Sequence, residues 1–500
     1  MTMHYRLLGA SLILTGAALS APARPAQAQT NGFVLHCLSA RAAGQACVTR
    51  AREGVPTNLF HDPASIVWFD RASFELNASA FTPSLTFRNS ANPGVNDGAL
   101  HSYPLVSTAI AGPSPIPRVA WAFGVEPIGG FGADFKLTHP VLGPRQNYES
   151  FFAALRSGPV LAWEPVDGFS LGAGANIVYA QIRDFRMPFA MTPQAATGFG
   201  ALAQLDPQHY PGMFSGITEL VAYGDSRDFS GWGVGASLGA AWRGAGLRAS
   251  VSWSPRTKMT LDGATATIDM SRQFEILFGA LVQERMTNHG ETESLAQQAV
   301  ARLLGTAGLD LSRGTVASYD ASTDLATPQT AGVGVSFDPG DRWNIALEGS
   351  WMDWSAAESV MPFRLTDGDN PNINMLLNAD PTNADFTYPF PLQWKDSWTA
   401  KAGVQFAAGA NTMLRAGYLY GSNPVPDNTV FIAFPAISTR AVTAGAGFRV
   451  GTLPLEVSVV HALRARLNGC DHGHRISSEY VNSASTLSQT TVTFGAVWKF

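Results

Sequence analysis

Three cysteines and two nearby histidines are the residues of this chain best suited to covalent or metal chemistry. Cys37 and Cys47 lie ten residues apart, so a disulfide between them is possible in an oxidising compartment. Such a bond would contribute roughly 2–3 kcal/mol of stability. Cys470, His472 and His474 match no strong zinc-binding spacing. We therefore interpret these three residues as part of a flexible loop and predict no metal site.

The sequence lacks the motifs of common hydrolases and nucleotide-binding proteins. Neither G-x-S-x-G nor G-x-x-x-x-G-K-[ST] occurs in it. Asp367 and Asp369 could bind a cation, but they lie in an Asn- and Gly-rich stretch that is typical of a solvated loop. The net charge of −5 argues against a nucleic-acid partner. We predict a protein that is not an enzyme and uses no cofactor.

The composition indicates a folded chain with few charges. Charged residues make up 14% of the 500 residues, against roughly 25% in an average soluble protein. Hydrophobic residues make up 46%. This combination excludes a disordered chain, which would have low hydrophobicity and high charge.

Residues 1–28 have the pattern of a secretory signal peptide. A short segment with His4 and Arg6 precedes an apolar run over residues 7–19, and Ala26 and Ala28 precede the predicted cleavage site. The alternative is an uncleaved anchor, but the apolar run is too short to span a bilayer as a helix. The pattern therefore predicts an exported protein.

Alternation of apolar with small or polar residues predicts that the chain is all-β and crosses a membrane as a barrel. In the last ten residues, TVTFGAVWKF, the apolar positions from Val492 to Phe500 share one face. The same period of two recurs in 169–179, 232–242 and 398–406, with aromatic residues near the ends. Trp, Tyr and Phe at both ends of a strand are typical of the aromatic girdles of outer-membrane barrels. A secreted β-sandwich or β-helix is the alternative.

The segments between these strands are expected to be long loops. Residues 185–228 and 355–397 are rich in turn-forming residues, and TESLAQQAVARLLG has the spacing of an amphipathic helix. Long loops outside the cell and short turns in the periplasm are typical of outer-membrane barrels.

A cluster of strand-breaking residues lies inside one predicted membrane strand. Pro127, Gly129, Gly130 and Gly132 follow one another closely within PRVAWAFGVEPIGGFGADF. Proline removes a donor from the hydrogen-bond ladder, and glycine inside a strand often marks a bulge or bend. The cluster predicts a kink in the barrel wall. An ordinary turn at the end of a strand is the alternative.

Several motifs resemble those of the FadL-type (OMPP1/FadL/TodX) outer-membrane transporters of long-chain fatty acids and other hydrophobic compounds. Near the predicted mature amino terminus these are Gly32-Phe33, Gly44-Gln45-Ala46 and Asp62-Pro63-Ala64, in which Asp62 replaces the usual Asn. Further matches are the kinked segment, SWMDWS, the stretch NPVPDNTVFIAFPAISTRAVTAGAGFRVG and the terminal Phe500. The resemblance extends over residues 31–500.

The resemblance implies a transmembrane antiparallel β-barrel of fourteen strands, formed by residues 70–500. An N-terminal hatch, residues 29–69, would fill its lumen. Phe33 would reach the ligand pocket, and the kink would open the wall sideways towards the membrane. Arg183 and, as a second choice, Arg440 would bind an acidic headgroup.

The function implied is diffusive uptake of hydrophobic small molecules, such as long-chain fatty acids, by a monomer surrounded by outer-membrane lipid. A hydrophilic general porin or surface-binding barrel is the alternative, and a hydrolase built on a barrel is a third. A porin would need a charged constriction and no apolar plug, whereas the low charge and the phenylalanine-containing amino-terminal segment favour the first function.

Overall fold

The computed structural model describes residues 30–192, 195–198, 217–451 and 453–500. The predicted signal peptide, residues 1–28, therefore lies outside the described residues. The β-strands are β1 (Thr30–Asn31), β2 (Val34–Leu35), β3 (Ser73–Arg88), β4 (Asn96–Asp97), β5 (Tyr103–Pro113), β6 (Val119–His139), β7 (Gly143–Val166), β8 (Phe169–Met191), β9 (Leu220–Gly244), β10 (Leu247–Ser254), β11 (Thr257–Asp269), β12 (Val316–Thr327), β13 (Thr330–Phe337), β14 (Trp343–Met352), β15 (Val360–Thr366), β16 (Phe386–Pro391), β17 (Ser397–Gly409), β18 (Thr412–Gly421), β19 (Arg440–Val450), β20 (Leu453–Asn468) and β21 (Ala484–Lys499).

The strands form a closed antiparallel barrel. The last strand, β21, pairs along its whole length with β3, from Ala484 opposite Arg88 to Lys499 opposite Ser73. Four wall strands are interrupted once, so that β10 continues into β11, β12 into β13, β14 into β15 and β16 into β17. Counted in this way, the wall has fourteen strands, as the resemblance implies. Closure pairs the backbone groups that an open sheet edge would expose to hydrocarbon.

The outer surface of the barrel is apolar. On β9, Trp232 is 65% and Val234 is 79% exposed, whereas the intervening Gly233 lies against the backbone of β11. Phe494 on β21 is 62% exposed, while its neighbour Thr493 is buried. Exposed large apolar side chains that alternate with buried small or polar ones indicate a wall that faces lipid outside.

The wall interruptions arise from proline and from inward turns of the chain. Pro255 and Pro328 lie between paired residues of the two neighbouring strands, where Ser254 faces Thr330 and Thr257 faces Thr327. Neither proline can donate a ladder hydrogen bond. Between β14 and β15 the chain forms a short helix, α4 (Trp354–Ala357), which buries Trp354 completely. These departures bring side chains from the wall into the lumen.

The two ends of the barrel differ in the length of their connections. At one end the connections are short, such as those between β9 and β10 and between β13 and β14. We call this the short-turn end and the opposite one the long-loop end. The helices of the long-loop end are α2 (Ser271–His289), α3 (Glu293–Thr306) and α5 (Pro371–Asn378), so the predicted amphipathic helix is confirmed as α3.

Two predicted loops are shorter than the sequence suggested. Strand β8 reaches Met191 and strand β9 begins at Leu220, which leaves 192–219 between them. The region 355–397 contains β15 and β16 as well as α5. The turn-forming residues in these regions are accommodated because the strands extend beyond the apolar belt, where side chains no longer need to alternate. None of the described helices has the length and apolar character needed to cross a bilayer.

The amino-terminal residues 30–69 contact the inner face of the wall. They contain β1, β2, the helix α1 (Ala40–Ala43) and the 3₁₀ helices Pro56–Asn58 and Pro63–Trp68. Nearly all of these residues are buried. We call residues 30–69 the N-terminal segment.

Candidate functional site

Strand β6 loses its pairing with β5 part of the way along its length. Strand β6 pairs with β5 as far as Val125, which lies opposite Thr108. Beyond Val125 its remaining ladder partner in the wall is β7, with a register shift between Pro127 and Gly129. Further along, the amide of Ala99 donates to the carbonyl oxygen of Asp134 (2.9 Å). We call the edge of β6 between Val125 and Asp134, along which β5 no longer pairs with it, the window. Within it lie the predicted kink residues Pro127, Gly129, Gly130 and Gly132.

The backbone of the N-terminal segment lies along the window. The amide of Gly130 donates to the carbonyl oxygen of Phe33 (3.1 Å), and Val34 pairs with Gly129. A Cβ atom on Gly129 would lie 2.6 Å from that carbonyl oxygen, closer than real Cβ atoms approach. Glycine at position 129 is therefore what allows Phe33 to lie against the kinked strand.

The side chain of Phe33 is fully buried among aromatic rings. Its ring centroid lies 5.0 Å from that of Trp354 and 5.2 Å from that of Phe152, both edge to face, and 6.2 Å from that of Trp394. Edge-to-face pairs at these distances are favourable because the positive edge of one ring meets the negative face of the other. We call this group, together with Phe131 and Phe434, the aromatic cluster; Phe434 stacks on Phe131.

The aromatic cluster is covered by the connection between β18 and β19. Residues 430–437 of this connection are buried, and Phe431 contacts both Phe434 and Phe390 (5.0 Å between the ring centroids of Phe431 and Phe390). The hydroxyl of Thr429 donates to the carbonyl oxygen of Leu392 (2.7 Å), next to an interruption of the wall. The connection contains the sequence that resembled the transporter motif.

Near its middle the N-terminal segment is anchored by a buried ion group. The carboxylate of Glu348 accepts hydrogen bonds from the guanidinium of Arg50 (2.9 Å) and from the ammonium of Lys401 (2.8 Å). It also accepts from the backbone amides of Thr49 (2.7 Å) and Arg50 (2.9 Å). Lys401 donates in addition to the carbonyl oxygen of Cys47 (2.9 Å). We call Arg50, Glu348 and Lys401 the ion anchor.

Further polar contacts hold the flanks of the N-terminal segment. On β3, Glu75 accepts from the hydroxyl of Ser39 (2.8 Å) and from the amide of Thr57 (3.0 Å). Cys37 and Cys47 are joined by a disulfide within the segment.

Asp62, the departure from the usual Asn, is completely buried. It accepts from the amide of Ala51 (2.7 Å) and, through its backbone carbonyl oxygen, from the hydroxyl of Ser65 (3.1 Å). Burial raises the pKa of Asp62 to about 6, and the bond from Ala51 only partly offsets this effect.

A cavity lies between the window and the ion anchor. It has a volume of about 90 Å³ and is bordered by Val34, Pro127 and Ile128 on one side. On the other side it reaches Pro255 and Pro328 at the wall interruptions. An apolar cavity of roughly 150 Å³ can hold benzene. This cavity is therefore smaller than a site known to hold benzene.

The two arginines predicted to bind a headgroup lie in different surroundings. The guanidinium of Arg183 lies over the ring of Phe151, 4.7 Å from its centroid, at a bulge in β8. Arg440 is exposed at the start of β19, where it shares a face with the exposed Val442. The structure therefore does not bring the two residues together.

The histidine-rich segment near Cys470, expected to be part of a flexible loop, contains one buried histidine. His474 is buried; its Nε2 lies 3.0 Å from the carbonyl oxygen of Val430, and its Nδ1 accepts from the amide of Ile476 (3.3 Å). His472 is exposed beside Asp471. Among the described residues, no group of three or more His, Cys, Asp and Glu side chains is arranged to hold a metal ion.

Sequence reasoning gave the wall residues of the site no role in it, although Trp354 lies in the SWMDWS motif. Trp354 and Trp394 project from interruptions of the wall, and Trp354 donates to the side-chain oxygen of Asn31 (3.0 Å). The ion pair of Glu348 with Lys401 joins directly opposed residues of β14 and β17. The sequence signal for this ion pair was one charged residue at an inward position of each strand. The sequence did not show that the two strands are neighbours.

A closed fourteen-stranded barrel with an apolar outer face and a buried internal segment is the architecture of an outer-membrane transport protein. The model of one family, outer membrane protein transport protein (OMPP1/FadL/TodX), matches residues 23–463. The chain belongs to this family, whose members are transport channels for hydrophobic compounds rather than enzymes. No curated protein matches the sequence.

Solved structures show the same fold at low sequence identity. A FadL homologue from Pseudomonas aeruginosa superimposes with a TM-score of 0.67 at 16% identity, covering 94% of this chain and 100% of that one. The toluene transporter TodX from Pseudomonas putida gives 0.63 at 15% identity, covering 94% and 100%. The toluene transporter TbuX from Ralstonia pickettii gives 0.60 at 15% identity, covering 93% and 99%. At these identities the similarity establishes the fold alone.

Proposed function

We propose that this protein, as a monomer, admits small hydrophobic molecules by diffusion and releases them sideways through the window into the outer membrane. The observation that carries the proposal is the position of Phe33, whose backbone lies along the window and whose ring lies in the aromatic cluster. One short piece of chain thus lies both along the proposed exit and in the proposed pocket. The long-loop end would face outwards and the short-turn end the periplasm.

The division of the chain follows from this proposal. Residues 1–28 are a signal peptide that is removed, residues 29–69 are the hatch, and residues 70–500 are the barrel. The ion anchor and Glu75 support this division, because each joins the N-terminal segment to the wall by several hydrogen bonds.

Transport requires that Phe33 move. The cavity of about 90 Å³ is smaller than a benzene-sized site, and the ring of Phe33 occupies a volume close to that of benzene. Displacement of the ring would provide room for a ligand and would free the edge of β6 at Gly130. Binding and release would then be linked to the same movement.

A second, weaker-binding conformation is needed for release. Each buried methylene contributes about 0.8 kcal/mol, so a sixteen-carbon chain gains on the order of 12 kcal/mol before ordering costs. A site with such an affinity would retain its ligand. Return of Phe33 to the aromatic cluster would lower the affinity, since ring and ligand compete for one volume.

The aromatic lining favours an uncharged aromatic hydrocarbon as substrate. Phe33, Phe152, Trp354 and Trp394 present ring edges and faces to one another, and a small aromatic ligand could replace Phe33 in these contacts. Two proteins of the same fold are toluene transporters. Long-chain fatty acids are the second candidate, with Arg183 above Phe151 as the partner of the carboxylate.

Uptake of labelled toluene and oleate by cells with and without the protein tests the proposal. The protein should accelerate toluene uptake more than oleate uptake. Equal uptake of both compounds in the two cell types would contradict the transport function, and a large increase in ion conductance of the wild-type protein in a planar bilayer would favour the alternative of a general porin.

The window is tested by Gly129→Val, with Gly349→Val as the matched control. A side chain at Gly129 would collide with Phe33 and fill the window, whereas a Cβ at Gly349 on β14 meets nothing closer than 3.9 Å. We expect slower uptake from the first variant and unchanged uptake from the second, both with a folded barrel. Wild-type uptake by folded Gly129→Val would contradict lateral release while leaving transport itself intact.

A further inference from the structure

A second cavity lies at the short-turn end, between the N-terminal segment and the wall. Its volume is about 170 Å³, and its lining is polar. Three guanidinium groups and two carboxylates border it, from Arg41, Arg52, Arg248, Glu53 and Asp338. The proposed transport function does not use this cavity, which lies on the opposite side of the ion anchor from the aromatic cluster.

The two carboxylates of this cavity are already paired with Arg248. The guanidinium of Arg248 lies 2.9 Å from a carboxylate oxygen of Glu53 and 2.7 Å from one of Asp338. Asp338 accepts in addition from the side-chain amide of Asn344 (2.7 Å). These two carboxylates therefore compensate the charge of Arg248. They do not pair directly with Arg41 or Arg52.

Arg52 has neutral partners in the part of the chain that the structure describes. Its side chain is buried, and it donates to the side-chain oxygens of Asn344 and Gln45. A buried cation without a carboxylate partner is unfavourable, because neutral oxygens replace only part of its hydration. Burial, and after it the neighbouring guanidinium of Arg41, lower the pKa of Arg52 well below its usual value.

Arg41 is in the same position. It donates weakly to the carbonyl oxygen of Gly54 (3.4 Å), and its buried Nε has no hydrogen-bond partner among the described residues. Burial and then the guanidinium of Arg415, which is itself bonded to Glu456, lower the pKa of Arg41, and the more distant carboxylates of Glu456, Glu75 and Glu53 offset this only in part. Two guanidinium groups whose charge is only partly compensated thus border one polar cavity.

We propose that Arg41 and Arg52 form a binding site for a small oxyanion, a phosphate or carboxylate group, at the short-turn end. Guanidinium groups bind such oxygens through strong charge-assisted hydrogen bonds. The cavity has room for such a group together with water, and the anion supplies the missing countercharge. Because Arg41 and Arg52 belong to the N-terminal segment, and Asn344 and Asp338 to the wall, a bound anion stabilises the contact between them.

Calorimetric titration of the purified full-length mature protein in a non-ionic detergent tests the site, with inorganic phosphate as the probe at constant ionic strength. We expect one saturable site, and we expect Arg41→Gln and Arg52→Gln each to raise its Kd by about tenfold or more. Arg118→Gln is the matched control, since Arg118 is an exposed arginine at the same end that pairs with Asp167. Its Kd should equal that of the wild type.

Absence of saturable phosphate binding, or an unchanged Kd in both cavity variants, would overturn the proposal. If Arg52→Gln does not fold, Arg41→Gln still decides the question, because Arg41 has only one weak hydrogen bond to lose among the residues that the structure describes. Competition of acetate and octanoate with phosphate for the site identifies the source of the oxyanion. Both of the following outcomes support the site. Equal competition indicates a small free anion, and much stronger competition by octanoate indicates a fatty-acid carboxylate.

Discussion

The N-terminal segment is held to the barrel in two contrasting ways. At the window, Phe33 and Val34 use one backbone hydrogen bond, one bridge to Gly129 and apolar ring contacts. At the ion anchor, Arg50 is held by a carboxylate that also binds Lys401 and two backbone amides. The two regions lie fewer than twenty residues apart in the chain, yet mainly apolar contacts hold the first and charged contacts hold the second.

This contrast indicates which part of the segment a hydrophobic ligand would displace. Apolar contacts are non-directional and proportional to the area removed from water, so an apolar ligand can replace those of Phe33. No apolar ligand can replace the hydrogen bonds of Glu348 to its two cations, and breaking a buried ion pair is strongly unfavourable. We therefore expect the region around Phe33 to move on ligand binding while the ion anchor stays in place.

The largest effect should come from breaking the ion anchor. Glu348→Ala leaves the charges of Arg50 and Lys401 buried without their carboxylate, which should lower the free energy of unfolding by about 3–5 kcal/mol. We also expect the N-terminal segment to detach and ion conductance in planar bilayers to rise. The exposed Glu275→Ala on α2 is the control. Wild-type melting and conductance for Glu348→Ala would show that the segment is held by its other contacts.

The next largest effect should follow from removing the ring at the window. Phe33→Ala empties a position in the aromatic cluster, and core Phe-to-Ala changes usually cost about 3 kcal/mol or more. Toluene should fill the vacated volume and raise the melting temperature of this variant more than that of the wild type. Phe337→Ala, which removes an exposed ring on the outer face, is the control. If toluene raised the melting temperature of Phe33→Ala no more than that of the wild type, the ligand pocket would lie elsewhere.

A pH-dependent effect should come from Asp62, whose hydrogen-bond partner Ala51 adjoins Arg50 of the ion anchor. Its pKa is about 6 in the folded protein against 3.8 for the free side chain, so the folded state holds the proton more tightly. Stability from this residue is therefore present below about pH 4 and is lost as the pH rises to about 6, by up to about 3 kcal/mol.

The variant Asp62→Asn isolates this effect. It should match the wild type at pH 4 and exceed its melting temperature at pH 7, whereas the exposed Asp70→Asn should follow the wild type throughout. A constant difference between Asp62→Asn and the wild type across this range would contradict the assignment.

The smallest effect should come from the disulfide, which lies between Phe33 and Arg50 in the sequence. Replacing Cys37 and Cys47 by Ser opens a loop of ten residues and should cost roughly 2–3 kcal/mol at most. Because the ion anchor holds the segment independently, we expect bilayer conductance to stay at the wild-type value. Raised conductance in the double variant would mean that the disulfide, rather than the ion anchor, keeps the N-terminal segment in place.

The fold was largely predictable from the sequence, and the site was predictable in part. The alternation around Trp232, Val234 and Phe494 identified the outer face, because each of these residues follows the period of two locally. The cluster from Pro127 to Gly132 marked the part of β6 that contains a register shift and follows the end of its pairing with β5. The aromatic partners of Phe33 could not be found in this way, since Trp354 and Trp394 leave the strand pattern where the wall turns inwards.

The sequence by itself therefore determined the all-β class, the inner and outer faces of the strands and the place of the register shift in β6. These features depend on neighbours along the chain, where the two-residue period of a strand sets the direction of each side chain. The tertiary structure alone decided that Phe33 lies at Gly129, that Glu348 binds both Arg50 and Lys401, and that Arg41 and Arg52 share a cavity. The first two features join residues far apart in the chain, and the cavity of Arg41 and Arg52 is completed by the distant wall residues Asp338 and Asn344. Barrel closure and strand register determine these distances.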